Sequence, residues 1–93
     1  MPVTIMIPTP LRQFTGNSDS VSVEGQTVAE ALKNLCTKYS ALQKHLYMDD
    51  GRLRSFVNVY VNDEDIRYMQ KEGTLVSPHD TISIIPSIAG GKY

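Results

Sequence analysis

One stretch of the sequence carries the apolar spacing of a long helix, and it limits the folds open to the chain. The stripe follows Thr27 and consists of Val28, Ala31, Leu32, Leu35, Cys36 and Tyr39. Thr27 and Glu30 form a capping-box sequence, in which each side chain satisfies a backbone N–H at the start of a helix. A single apolar stripe must be covered, so we predict a helix here that packs across a sheet.

Alternating apolar residues predict strands on both sides of this helix. The predicted strands are residues 3–7, 21–24, 56–61 and 81–85. We expect the first two to form a hairpin with a long connection. The first and last are apolar enough to lie parallel at the centre of a mixed sheet of four to five strands. The fold class is therefore α+β, with the sheet packed on one long helix.

The connections between these elements carry weaker signals. Leu11 and Phe14 are expected to cover the core from the loop after the first strand. A short helical stretch is expected at residues 41–46, with two leucines turned inward. Residues 62–65 are predicted to form a turn, and residues 66–80 to contain a short strand and loops.

Composition excludes several classes of function. Nine basic and ten acidic residues give a net charge of −1, without the basic cluster that nucleic-acid binding needs. No apolar run approaches the roughly 20 residues of a membrane-spanning helix, and no signal sequence is visible at the N-terminus, so we expect a cytoplasmic protein away from membranes. The single cysteine, Cys36, cannot form an internal disulfide or a four-thiolate metal site.

The C-terminal segment holds adjacent glycines, Gly90 and Gly91, followed by Lys92 and Tyr93. Two glycines adopt extended conformations closed to other residues and offer no side chain to a narrow channel. Taken alone, the pair is also typical of a flexible terminus. We therefore predict one domain over residues 1–86 and a tail over residues 87–93.

Three segments together resemble the ThiS/MoaD family of ubiquitin-like sulfur carriers. They are Ile-Pro-Thr-Pro-Leu-Arg at residues 7–12, the stretch from Phe56 to Arg67 at residues 56–67, and Ile-Ile-Pro-Ser-Ile-Ala-Gly-Gly at residues 84–91. The resemblance is closest to the branch that contains the carrier for cysteine synthesis. It covers almost the whole chain and implies a ubiquitin-like β-grasp fold.

The resemblance also implies a chemical cycle at Gly91. In this family a partner enzyme threads the tail, here Ala89, Gly90 and Gly91, and uses ATP to adenylate the terminal glycine carboxylate. A sulfur donor then displaces AMP and leaves a thiocarboxylate, which a sulfur-accepting synthase consumes. The chain itself would bind no cofactor or metal and would be a co-substrate of these enzymes.

In this sequence Gly91 is followed by Lys92, which departs from the family pattern of ending at the second glycine. The carbonyl of Gly91 is tied up in an amide and has no carboxylate to adenylate. We therefore expect a metal-dependent protease of the deubiquitinase-like class to cut between Gly91 and Lys92, by resemblance to related pathways.

A docking face is the second expectation. On the side of the sheet away from the helix, Met6, Phe56, Tyr60 and Ile85 would leave large apolar groups exposed. In the resembled family this face meets the activating enzyme. The alternative is that the loops around Leu11 or Tyr68 cover part of it.

Other candidate residues suggest no catalytic site. Cys36 lies on the apolar stripe, where a thiol behaves as a small buried hydrophobe. His45 and His79 lie outside metal-ligand spacing and are expected to be surface or loop residues. The acidic residues 63–65 lack the ligand loop of a calcium site and are expected to form a solvated turn.

Three functions therefore remain open. The first is the sulfur carrier, and the second is a protein modifier that passes an activated Gly91 to a lysine amine. The third is a binding module that uses the sheet face without tail chemistry. The sulfur donor and the pathway that receives the sulfur, which could be cysteine, methionine or another thio-metabolite, are not legible. A monomer is the default for a carrier whose tail must enter other proteins.

Overall fold

The computed structural model describes residues 2–55 and 57–86. This part of the chain forms one five-stranded sheet and two α-helices. The strands are β1 (Pro2–Met6), β2 (Ser20–Glu24), β3 (Val57–Val61), β4 (Glu64–Asp65) and β5 (Thr81–Pro86), and the helices are α1 (Val28–Lys38) and α2 (Gln43–Leu46).

The sheet has the strand order β2-β1-β5-β3-β4. Strands β1 and β5 run parallel, with Ile5 beside Ile82, whereas the other pairs are antiparallel. The predicted parallel pairing of the first and last strands is therefore confirmed, and β5 occupies the central position. As a central strand, β5 is hydrogen-bonded along both edges, to β1 and to β3.

Helix α1 covers one face of the sheet with the predicted apolar stripe. Val28, Ala31, Leu32 and Leu35 are completely buried, and Cys36 is 5% exposed. The hydroxyl of Thr27 accepts the N–H of Glu30 at 3.1 Å, as a capping box requires. The carboxylate of Glu30 accepts the N–H of Gln26, one residue earlier than the usual partner.

Gly25 allows the chain to turn tightly from β2 into α1. A Cβ atom at this position would lie 2.8 Å from the backbone nitrogen of Ala31. Backbone atoms cannot swing aside as a flexible side chain can, so a larger residue would push the helix off the sheet.

The long connection between β1 and β2 contains a 3₁₀-helix (Thr9–Phe14) that closes one end of the core. Leu11 is buried, and Phe14 packs against the core while partly exposed. Leu42 and Leu46, before and within α2, are completely buried. The predicted roles of these four side chains are confirmed.

The turn predicted over residues 62–65 is shorter than expected. Asn62 and Asp63 alone form it, with φ values of 51° and 75°, as in a two-residue hairpin loop. Glu64 and Asp65 already pair with β3 as strand β4. The short strand expected between residues 66 and 80 therefore lies earlier in the chain. Residues 66–80 contain two 3₁₀-helices instead (Ile66–Tyr68 and Lys71–Gly73).

Candidate functional site

Strand β5 carries the chain to the candidate reactive end. Its residues pair with β1 on one side and β3 on the other, up to Pro86 opposite Val57. The predicted tail residues Ala89, Gly90, Gly91, Lys92 and Tyr93 lie outside the described residues. The fold therefore fixes the base from which the tail starts, at the end of a strand that is paired on both edges.

The predicted docking face lies on the sheet side opposite α1. The strand register places Met6 and Tyr60 on either side of Ser83, in one row across β1, β5 and β3. Met6 is 38% exposed and Ile85 is 47% exposed, while Tyr60 is half-buried. Phe56, the fourth predicted member, lies outside the described residues.

The alternative was that the loops around Leu11 or Tyr68 cover part of this face, and the first of these loops does border it through Arg12. Leu11 is turned into the core, where it is 2% exposed. Tyr68 is 81% exposed and so makes little contact with the rest of the molecule. Met6 and Ile85 consequently remain open to a partner.

Arg12 borders the docking face, and the sequence analysis gave it no separate role. Met6, Arg12 and Ile85 line a shallow concavity of about 330 Å³ beside the end of β5. The Nε–H of Arg12 donates to the carbonyl of Ile7 at 3.0 Å. The sequence does not predict this hydrogen bond, because the bond forms only when the 3₁₀-helix folds back on β1.

Cys36 is a structural residue of the core. Burial raises the pKa of its thiol from 9.0 to about 11. The reactive form of cysteine is the thiolate, so this environment suppresses reactivity. The predicted structural role of Cys36 is confirmed.

The two histidines differ in their surroundings. His79 is exposed, as predicted. The same prediction was wrong for His45, which lies in α2 half-buried, with its ring stacked on Phe14 at a centroid distance of 4.3 Å. Burial lowers the pKa of His45, and the positive charges of Lys44 and Arg54 lower it further.

The acidic residues 63–65 are only partly a solvated turn, so that prediction needs correction. Asp65 is 6% exposed, and its carboxylate accepts the backbone N–H of Arg67 at 2.8 Å. The guanidinium of Arg67 also donates to it at 2.6 Å. These hydrogen bonds with Arg67 lower the pKa of Asp65. In the hairpin Asp65 lies directly opposite Tyr60, so the alternation of β3 does not account for its burial.

The described residues were also considered as a metal site and as a membrane-spanning segment. Over residues 2–55 and 57–86, no group of three or more His, Cys, Asp or Glu side chains is placed to hold a metal ion. No helix in that part of the chain has the length and apolar character needed to cross a membrane.

Comparison with known families and proteins gives close matches over nearly the whole chain. A model described as the ThiS family matches residues 5–91. The sulfur carrier protein CysO of Mycobacterium tuberculosis is 43% identical over 94 residues, which cover 98% of this chain and all of that protein.

Solved structures agree with this result. A chain in the crystal structure of the BexX/CysO complex of Amycolatopsis orientalis is 39% identical, with a TM-score of 0.86, covering 96% of this chain and 99% of its own length. The small archaeal modifier protein 1 of Methanosarcina acetivorans is 26% identical with a TM-score of 0.86, covering 97% and 96% of the two chains. The predicted ubiquitin-like β-grasp fold is confirmed.

Proposed function

This chain belongs to the ThiS family of ubiquitin-like sulfur carriers, and from that premise we propose that it carries sulfur on the carboxyl group of Gly91. The observation that carries the proposal is the extent of the family match, which continues beyond the folded domain and stops at Gly91. A match confined to the sheet and helix would support the fold alone.

The geometry of the described domain suits such a role. The docking face and the start of the tail lie at neighbouring positions, because Ile85 belongs to the face and Pro86 ends β5. A partner that binds this face would find the tail beside it. Gly91 lies five residues beyond Pro86, and a fully extended chain of that length spans at most about 18 Å. That reach would let the reactive atom enter a partner while the domain stays on the partner's surface.

The proposed cycle begins with removal of Lys92 and Tyr93. Hydrolysis of the Gly91–Lys92 peptide bond by a metal-dependent protease frees the carboxylate of Gly91. An adenylating enzyme then joins this carboxylate to the α-phosphate of ATP and releases pyrophosphate. The acyl carbon becomes open to attack because AMP is a better leaving group than oxide.

Attack by a sulfur donor on this carbon expels AMP and leaves a thiocarboxylate on Gly91. A sulfur-accepting synthase then uses the thiocarboxylate sulfur as its nucleophile, which joins the acceptor to Gly91 through a thioester. Hydrolysis of the C–S bond of this thioester leaves the sulfur on the acceptor and returns the carboxylate of Gly91. We propose biosynthesis of cysteine as the destination, on the strength of the similarity to CysO. In this scheme the chain is a co-substrate, and ATP, metal and catalytic groups belong to its partners.

A protein modifier is the second candidate, and the similarity to a small archaeal modifier protein favours it. The activation of Gly91 would be the same in both cases. The two functions differ in the nucleophile that receives the acyl group, which is sulfide for a carrier and a lysine amine for a modifier.

Mass spectrometry tests the proposal. The protein processed to Gly91 is incubated with the adenylating enzyme of its own organism, ATP and a sulfide source. We expect a mass increase equal to the exchange of one oxygen for sulfur, located on the C-terminal peptide. Unprocessed protein is the control and should stay unchanged. Absence of both adenylate and thiocarboxylate on the processed protein would refute the proposal, and lysine conjugates in its place would support the modifier.

A further inference from the structure

His45 lies in α2 with one ring nitrogen buried and unpaired. The residue as a whole is half-buried, but its Nε2 atom is closed to water and has no hydrogen-bond partner among the residues that the structure describes. Buried polar atoms in folded proteins nearly always have a partner, so an exception needs a physical explanation. The sulfur chemistry proposed at Gly91 does not involve this residue.

The same ring joins two segments that are distant in sequence. It stacks on the ring of Phe14 at a centroid distance of 4.3 Å and an interplanar angle of 28°. Phe14 is the last residue of the 3₁₀-helix Thr9–Phe14, in the connection between β1 and β2. The stack therefore holds this 3₁₀-helix against α2.

The 3₁₀-helix also borders the docking face. Its Arg12 lines the shallow concavity beside the end of β5, together with Met6 and Ile85. The carbonyl of Arg12 accepts the N–H of Thr15 at 3.0 Å, which closes the turn that contains Phe14. Because the turn is this short, a displacement of Phe14 is passed on to Arg12 and to the concavity.

Protonation of His45 would disturb the stack. A neutral imidazole carries one N–H, whereas an imidazolium carries two, so both ring nitrogens must then donate. Nε2 would become a charged donor without an acceptor, and a buried charge without a partner is costly. The ring regains water for this nitrogen only by turning away from Phe14.

The neighbouring charges also oppose protonation. Lys44 precedes His45 in α2, and the Nε–H of Arg54 donates to the carbonyl of Lys44 at 2.9 Å, which holds a second cation close to the helix. Burial, the charge of Lys44 and the charge of Arg54 together lower the pKa of His45 from its ordinary value of 6.5.

The other charged groups nearby have partners of their own. Arg12, the charged residue of the 3₁₀-helix, donates through its Nε–H to the carbonyl of Ile7 at 3.0 Å. Asp49 and Asp50 share a concavity with Arg54, and the carboxylate of Asp50 accepts the Nε–H of Arg52 at 2.8 Å. The charges that act on His45 are therefore both positive.

We propose that His45 is an acid-sensitive contact between α2 and the docking face. Uptake of a proton by its ring releases Phe14, loosens the 3₁₀-helix Thr9–Phe14 and changes the concavity beside Ile85. The step is a proton uptake from water and needs no second component. The docking concavity keeps its shape while the imidazole is neutral and loses it locally in acid.

Proton linkage gives the sign of the effect. The pKa of His45 is lower in the closed contact than in the open one, so the open form binds the proton more readily and acid favours opening. Opening begins as the pH falls through the ordinary histidine value of 6.5. It then grows by up to about tenfold per pH unit, until the closed form also takes up the proton.

NMR measurements on the full-length chain between about pH 8 and pH 5 test this proposal. Hydrogen exchange of the Thr15 N–H reports opening of the 3₁₀-helix, and the methyl shifts of Met6 and Ile85 report the concavity. We expect the His45 ring to titrate below 6.5. In the same range the protection factor of Thr15 should fall by up to about tenfold per pH unit, and the two methyl shifts should change with it.

Two variants and a matched control separate this contact from a general effect of acid. His45→Phe keeps a ring on Phe14 but cannot titrate, so it should remove the pH dependence of Thr15 protection. His45→Gln removes both the ring and the charge, so it should lower protection equally at every pH. His79→Gln removes an exposed histidine and should respond to acid like wild type. If thermal unfolding shows that His45→Phe is not folded, His45→Gln decides the test.

Several results would overturn the proposal. They are a His45 ring that titrates above 6.5, protection of Thr15 that does not vary with pH, and an acid response that persists in His45→Phe or His45→Gln. Changes at Thr15 without changes at Met6 and Ile85 would overturn the coupling to the docking face. All readouts come from the chain alone, so failure here leaves the thiocarboxylate proposal standing, and failure of that proposal leaves this one standing.

Discussion

Strand β5 places chemically identical residues in opposite environments. Ile82 and Ile84 face α1 and are 0% and 3% exposed, whereas Ile85 points to the other side and is 47% exposed. Burying an isoleucine completely contributes about 1.5–3 kcal/mol, and Ile85 contributes only part of this in the isolated domain. The contrast indicates that the face of the sheet under α1 holds the fold together, while Ile85 on the other face contributes less to it.

The largest expected effect comes from replacing an isoleucine by alanine on each face of β5, one at a time. Ile84→Ala should lower the free energy of unfolding by about 2–5 kcal/mol, because it leaves a cavity under α1. Ile85→Ala should cost less than about 1 kcal/mol, since water already reaches the side chain. Urea denaturation monitored by circular dichroism measures both. Equal losses would mean that the outer face also supports the fold.

The reactivity of Cys36 tests whether the face of the sheet covered by α1 stays closed to solvent. Because burial raises the pKa of this thiol from 9.0 to about 11, its thiolate fraction at neutral pH is about a hundredfold below that of an exposed cysteine. Alkylation of the native protein should be at least that much slower than alkylation in denaturant. Comparable rates in the two states would show that this side opens readily.

The outer face is tested by binding rather than by stability. Ile85→Glu and Tyr60→Glu should each weaken binding to the adenylating enzyme about tenfold or more, since a charge would enter an apolar contact. Leu75→Glu is the control, because Leu75 is an exposed apolar residue, at 76% exposed, and its backbone pairs with Thr27 at the start of α1. A similar loss in the control would argue against a localised face.

Acid unfolding gives the smallest effect and probes the sheet edge at β4. The pKa of Asp65 is lowered from 3.8 by its hydrogen bonds to Arg67. A lowered pKa contributes stability that is present above 3.8 and is lost as the pH falls through the folded-state value. Asp65→Asn should therefore flatten the pH dependence of unfolding below about pH 4.

Asp50 provides the comparison for Asp65. Its pKa is also lowered, by hydrogen bonds to Arg52, but its side chain is 47% exposed. Water screens the Asp50–Arg52 pair, so Asp50→Asn should change acid stability less than Asp65→Asn. A larger effect for Asp50→Asn would show that burial does not determine how much each ion pair contributes to acid stability.

Local patterns predicted most of the fold. The helix stripe, the capping Thr27 and four of the strands follow from residue spacing, which depends on neighbours along the chain. The prediction failed for the short strand Glu64–Asp65, because a polar dipeptide becomes a strand only when the hairpin turn sets it beside β3. His45 was misplaced for a related reason, since its stacking partner Phe14 is distant in sequence.

Some parts of the candidate site could be predicted from the sequence and others only from the structure. Gly91 and its neighbours were identified from sequence, because a reactive terminus is a linear motif, and their placement lies outside the described residues. Met6, Tyr60 and Ile85 were predicted from alternation, and the register of three strands brings them together. The hydrogen bond from Arg12 to the carbonyl of Ile7 could not be predicted, since it depends on how the 3₁₀-helix folds back on β1.

The sequence by itself determined which residues of α1 are buried, where that helix begins and which two glycines precede Lys92. These properties depend on side-chain chemistry and on spacing over a few residues. Only the tertiary structure decided that Met6 and Tyr60 flank Ser83 in one row and that the ring of His45 stacks on Phe14. These contacts join residues far apart in the chain, and the fold alone brings them together.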